Sequence, residues 1–289
     1  MKPMSFVPNL GRGLLLCFAL LLQACSSIQW AYQNSPSLIL WQVDDYFDFE
    51  TQQKTLLQND LNALLQWHRQ EELPLLTKLL QDVQRAASTN PGPEQVCAYF
   101  DAAQQRLLAL SDQSLPMLAR TALSLTPAQL TNLKQAFDKN NSKWKKEWLD
   151  ASPQRLAKKR LDRLKERAER FYGRLSPEQV SLLQEMVATS PFDAQRQLQE
   201  NQRRQRDVLQ TLARLQNSQT SAAQAQRAVQ ALMERMFQRP SADHAAHAER
   251  LRRAACASLS QFHEGASTDQ KAHLLQVLKK YEQDAQNLQ

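Results

Sequence analysis

Glycine is nearly missing from this chain, with 5 in 289 residues. Only Gly92, Gly173 and Gly265 lie beyond the first two dozen residues, and each falls between stretches that read as helix, where a cap or turn is needed. A body so poor in glycine has no place for a Gly-rich phosphate loop, and neither a GxSxG elbow nor an HExxH pair occurs. Isoleucine is confined to Ile28 and Ile39, and valine is sparse, so the β-branched residues that suit strands are wanting. After residue 25 no apolar run approaches the roughly 20 residues that a membrane-crossing helix requires. These absences exclude the common hydrolase and nucleotide-binding signatures and leave an enzyme without positive support. No cofactor is expected.

What fills the chain instead is Leu, Ala, Gln, Arg and Glu, the composition of helices. Prolines repeatedly follow a hydroxyl: Ser35-Pro36, Thr126-Pro127, Ser152-Pro153, Ser176-Pro177 and Ser190-Pro191. The hydroxyl caps an orphan amide and the proline has no amide to orphan, so each pair marks a helix start. With Thr51 and Ser267 added, helices are predicted to begin near 36, 51, 93, 127, 153, 177, 191, 222, 242 and 268. Residues 88–93 and 217–221 read as linkers, and Pro74 and Pro116 as breaks or kinks. Apolar stripes at three- and four-residue steps run through Leu57, Leu61 and Leu64, and through Leu274, Leu275 and Leu278. The stripe from Phe192 to Leu215 is thin, as suits a solvated or bridging helix. The predicted fold is all-α: an elongated array of about ten helices over 36–289, divisible into sub-bundles 36–125 and 126–289.

The amino terminus carries Lys2 and Arg12, then the apolar run Gly13 to Leu22, which is too short to span a bilayer and reads as a signal peptide. Leu22-Gln23-Ala24-Cys25 resembles the bacterial lipobox, although Gln23 departs from the small or branched residue usual there. The resemblance implies removal of 1–24, diacylation of Cys25, and a lipid-tethered segment 25–35. Two or more acyl chains hold a protein stably to a membrane. Ser26 and Ser27 follow the cysteine, with no Asp, which by resemblance to the enterobacterial sorting rule favours the outer membrane over retention at the inner one. Without residues 1–24 the chain keeps 34 bases against 29 acids, net +5.

Cys17 leaves with the signal, and Cys97 and Cys256 remain as a pair in an oxidising compartment. They are expected to form a disulfide, two buried thiols being the alternative.

The most distinctive charge feature is 139–174, with thirteen bases and five acids, a net of +8. Trp144 and Trp148 lie one helical turn apart within it. Lys143, Trp144, Lys145, Lys146, Trp148, Lys158, Lys159, Arg160, Arg163 and Arg167 form a candidate site for an anionic lipid, a glycolipid or an envelope protein. Nucleic acid is not expected for an exported lipoprotein. Three blander readings stand beside this one: charges paired along the helix (Lys158 with Asp162, Glu166 with Arg170), tryptophans serving as core, and the acidic run Asp44 to Glu50 docking on the basic face. His244 and His247 with Asp243 invite a metal reading, but no third ligand stands at close spacing, and exposed or capping histidines are expected.

Two resemblances remain. Trp41, Asp44-Asp45-Tyr46-Phe47-Asp48, Gln52-Gln53, Trp67-His68-Arg69 and Glu72-Leu73-Pro74, in that order after a lipidated cysteine, resemble an uncharacterised family of proteobacterial lipoproteins that carries only a domain-of-unknown-function label. It implies a helical body and supplies no active residues. Leu125-Thr126-Pro127-Ala128-Gln129 and Leu175-Ser176-Pro177-Glu178-Gln179 resemble the LTxxQ motifs of Spy-type periplasmic chaperones, which implies a client-binding alternative to a non-catalytic scaffold. Each is also a capping box.

Overall fold

The computed structural model describes residues 28–216, 219–238 and 240–289; the signal segment 1–24 and Cys25 lie outside the described residues. Among the described residues a helical stretch over 28–33 precedes eleven α-helices: α1 (Ser35–Phe47), α2 (Thr51–Trp67), α3 (Leu73–Ala87), α4 (Pro93–Ser124), α5 (Pro127–Trp148), α6 (Pro153–Tyr172), α7 (Pro177–Thr189), α8 (Ala194–Leu215), α9 (Ala222–Phe237), α10 (Ala242–Glu264) and α11 (Thr268–Asn287). A π-helical turn, His68–Glu72, joins α2 to α3. No strand occurs among the described residues. The chain is all-α.

The hydroxyl caps act as their chemistry dictates. Thr126, Ser152 and Ser176 each accept a hydrogen bond from the amide three residues on, at 3.3 Å, and Ser267 does the same at 3.2 Å. Ser35-Pro36 and Ser190-Pro191 are the exceptions. Ser35 is already the first residue of α1, after Asn34, and no side chain caps that start. Helix α8 begins at Ala194, with the Asp193 carboxylate accepting from the Arg196 amide at 3.0 Å. The three residues before it are not helical, and there Phe192 packs edge-on against Trp148. Nor does the chain break at Pro74: Leu73 N–H donates to His68 C=O, five residues back, and the helix winds on through one wide turn. Pro116 sits inside the 32-residue α4, which continues through it.

Among the described residues the two larger apolar cores each gather side chains from before and after residue 125. One gathers Phe49, Leu57 and Leu61 with Leu115, Ala119 and Ala122 of α4, Leu133 of α5, Leu212 of α8 and Val229 of α9. The other joins Ala87 of α3, Tyr172, Leu183, Phe262, Leu274 and Leu278, from α3, α6, α7, α10 and α11. Each core draws on both halves of the chain. Helix α4, about 48 Å long at 1.5 Å per residue, links them: its carboxyl half lies in the first core. Its first turns pack on α10, where Cys97 is bridged to Cys256 with Cα atoms 5.4 Å apart.

Four helix starts share one device. Glu50-x-x-Gln53, Thr126-x-x-Gln129, Ser176-x-x-Gln179 and Ser267-x-x-Gln270 are each followed, four residues after the glutamine, by a buried leucine: Leu57, Leu133, Leu183 and Leu274. Each glutamine carbonyl accepts from its own cap amide, at 2.9 to 3.0 Å. The glutamines then pair across helices. Gln129 Nε2 donates to Gln53 Oε1 at 2.7 Å and Gln53 Nε2 to Gln129 Oε1 at 3.1 Å. Gln179 and Gln270 exchange bonds of 2.8 and 2.9 Å. One pair welds α2 to α5 in the first core, the other α7 to α11 in the second.

Buried His263 closes the second core. It bonds through Nε2 to Thr89 C=O at 2.8 Å and through Nδ1 to the Tyr172 hydroxyl at 3.0 Å. Burial lowers its pKa and raises that of Tyr172 to about 12, so the neutral imidazole donates to the carbonyl and accepts from the phenol.

Candidate functional site

The basic segment occupies the carboxyl half of α5, the linker after it and α6. Its aromatic pair is not a free platform. Trp144 and Trp148 stack with centroids 5.3 Å apart, Trp144 Nε1 donates to Ala194 C=O at 3.1 Å, and Trp148 is buried against Phe192. Several of the bases are drawn into the same cluster. Lys159 Nζ lies 4.7 Å and the Arg163 guanidinium 5.1 Å from the Trp148 ring centroid. Arg160 covers Phe192 at 5.1 Å and donates to Val187 C=O, near the end of α7, at 3.2 Å. Lys159 also reaches Glu147 at 2.9 Å, and that bond holds the Glu147 pKa below the usual carboxylate range. Trp144, Trp148, Lys159, Arg160 and Arg163 thus staple α5, α6 and residues 187–194 together, cations closing over the aromatic faces that helix packing leaves open.

The remaining bases face water. Lys158 pairs with Asp162 at 2.7 Å and Arg170 with Glu166 at 3.8 Å, ordinary four-residue helix pairs worth a few tenths of a kcal/mol. Lys143, Lys145, Lys146, Arg155 and Arg167 are exposed and make no ion pair among the described residues. The acidic run does not cover them: Asp44 pairs with Lys54 of α2 at 2.7 Å and accepts from the Phe49 amide.

A second polar cluster forms at the π turn. His68 Nδ1 bonds the Tyr32 hydroxyl at 2.8 Å, and the Arg69 guanidinium lies 5.5 Å from the Tyr32 ring centroid. Glu72 is 4% exposed and takes Arg106 at 3.5 Å. Burial lowers the His68 pKa and raises that of Tyr32. The wide turn brings His68, Arg69 and Glu72 inward and leaves Gln70 and Glu71 exposed. The Trp67-His68-Arg69 and Glu72-Leu73-Pro74 words do not by themselves announce this turn; a proline two residues after a dense polar run is the available signal. The cluster clamps residues 28–33 and α4 to the π turn.

Two of the carboxyl-terminal histidines, His244 and His263, hold structural hydrogen bonds. His244 and Ser241 form a cap in which Ser241 Oγ accepts from the His244 amide, and Asp243 pairs with Arg196 at 2.7 Å. Among the described residues no three His, Cys, Asp or Glu side chains converge as a metal site would.

No curated protein and no solved structure matched the chain. A family model did: it matches residues 45–245, from the end of α1 to the first turn of α10, and the chain belongs to that family, described as a family of unknown function (DUF6279).

Proposed function

We propose that the chain is a lipoprotein of the bacterial envelope, acylated at Cys25 and held at the periplasmic side of the outer membrane. Its helical body is a non-catalytic scaffold that offers the basic face of α5 and α6 to an anionic component, a phosphorylated glycolipid or an acidic envelope protein. The observation that carries the reading is the set of bases left over once internal pairing is counted. Lys143, Lys145, Lys146, Arg155 and Arg167 stay exposed and make no ion pair among the described residues, beside helices joined by the Trp144–Trp148–Phe192 cluster. Unpaired surface charge of one sign raises local counter-ion concentration and steers anionic partners to it.

The two classes of base separate the binding role from the packing role. Reversing Lys143, Lys145, Lys146, Arg155 and Arg167 to Glu is expected to weaken binding of the detergent-solubilised protein to phosphorylated glycolipid at least about tenfold at low salt, with little change in Tm. Reversing Lys159 and Arg163 should instead lower Tm by several degrees, since it puts carboxylates against an aromatic face. Equal glycolipid binding before and after the fivefold reversal overturns the scaffold reading.

The two LTxxQ-like starts lend no separate support to client binding. Gln129 and Gln179 are buried and spent on their amide pairs.

A further inference from the structure

Five of the eleven large apolar side chains that stand exposed among the described residues fall within the fourteen residues 28–41. They are Ile28, Trp30, Leu38, Ile39 and Trp41, the tryptophans 60% and 70% exposed. Residues 28–33 are helical and run into α1 through Asn34, with Asn34 N–H to Trp30 C=O at 2.9 Å and Leu38 N–H to Asn34 C=O at 3.0 Å preserving the helical phase. At about 100° per residue the five side chains share one half of the circumference. The other half is occupied: Pro36 is buried, and Leu40, Val43 and Phe47 pack into the first core. From Ser26 to Val43 there is no Asp, Glu, Lys, Arg or His. A soluble helix with one face already buried would put its charges on the other; this one puts tryptophan there.

We infer that the outer face of residues 28–41 is a membrane-docking surface, lying in the headgroup region of the leaflet that holds the acyl chains; this rests on the proposed acylation of Cys25. Only two residues separate Cys25 from Ile28, a reach of about 10 Å at full extension, so an acylated cysteine delivers this face to the bilayer surface. Tryptophan and aliphatic side chains without charge suit that depth, and an amphipathic helix rests about 5–10 Å into the boundary. No described helix is long and apolar enough to cross the membrane, so the segment lies on it. Contact ends where Asp44 and Asp45 begin. The Tyr32–His68 bond and the Arg69 cover fix the segment to the body. Docking therefore sets the body's orientation on the membrane, which a flexible tether alone leaves free.

The test uses the acylated protein in vesicles whose acyl chains carry bromine. Trp fluorescence is expected to be quenched, and Trp30→Phe with Trp41→Phe should remove most of that quenching while Trp67, Trp144 and Trp148 continue to emit. Equal quenching in the double variant, or none in the acylated parent, overturns the inference while leaving the anchor intact. A second arm uses the Cys25→Ala protein without residues 1–24 on unlabelled phosphatidylethanolamine–phosphatidylglycerol vesicles. Weak binding is expected, reduced at least about tenfold by Leu38→Glu with Ile39→Glu; both side chains are over 40% exposed, so the fold tolerates the change. Unchanged binding overturns the inference, as does a self-association abolished by the same substitutions in a protein that ignores vesicles. Vesicle binding in this arm, together with an unacylated Cys25 in the native protein, refutes the anchor and supports the docking face.

Discussion

Replacing Cys97 and Cys256 together by serine is expected to lower the unfolding free energy by about 4–5 kcal/mol and to shift the denaturant midpoint accordingly. The magnitude follows from chain entropy. The bridge closes a loop with a sequence separation of 159, and a cross-link over so long a loop removes a large part of the unfolded chain's freedom. Its position adds to this, because it fastens the start of α4, whose far half lies in the first core, to α10, whose last turns lie in the second. Without it the two cores are held by helix packing alone, and unfolding should lose cooperativity, giving separate transitions by different probes. Both cysteines are buried, so reductant should act slowly on the folded protein and quickly once it opens. A non-reducing gel that shows no difference between the parent and the double variant, or a midpoint shift worth less than about 1 kcal/mol, contradicts this.

The glutamine pairs carry the second large effect. Gln129→Leu takes away the acceptor for the Thr126 amide, the donor to Asp48 C=O and the two bonds exchanged with Gln53, which keeps Ser124 C=O and its own cap amide as partners. The lost cap costs about 1 kcal/mol and the buried bonds lost with it about 1–2 more, so a destabilisation of about 2–3 kcal/mol is expected. Changing Gln53 and Gln129 together should cost much less than the two single changes summed, because two apolar side chains leave no orphan between them. A sum of independent effects in that double-mutant cycle would mean the pair is not coupled. The corresponding change at Gln270, which is only half-buried and lies where solvent can replace the lost bonds, should cost about half as much.

Helix starts were readable because capping is local chemistry. Thr126, Ser152, Ser176, Ser221, Ser241 and Ser267 each need only an amide three residues on, and the expected boundaries at 127, 153, 177, 222, 242 and 268 coincide with the observed ones. Boundaries set by long-range contact were not. Pro191 fails to start a helix where Phe192 packs against Trp148, a partner more than forty residues away. The turn at His68–Glu72 depends on Tyr32 and Arg106 as well as on Pro74. Gln129 and Gln179 stand in legible sequence motifs; Gln53 and Gln270 do not, because Glu50 is an unusual cap and pairing is invisible without the fold. The cores interleave the two ends of the chain, which no linker composition announces. At the basic segment the charge pattern was legible. Its partition was not: Lys159, Arg160 and Arg163 stand beside Lys158 and Arg155 in sequence, and only packing decides which cations cover tryptophan and which meet solvent.

The placement of the whole molecule depends on chemistry at one sulfur. Mass spectrometry of the amino-terminal peptide, taken from protein purified out of bacterial membranes, reads it directly. The account predicts a chain that starts at Cys25 and carries fatty acyl groups on that residue. A mature chain beginning elsewhere, or an unmodified Cys25 in protein that still sediments with membranes, would contradict it.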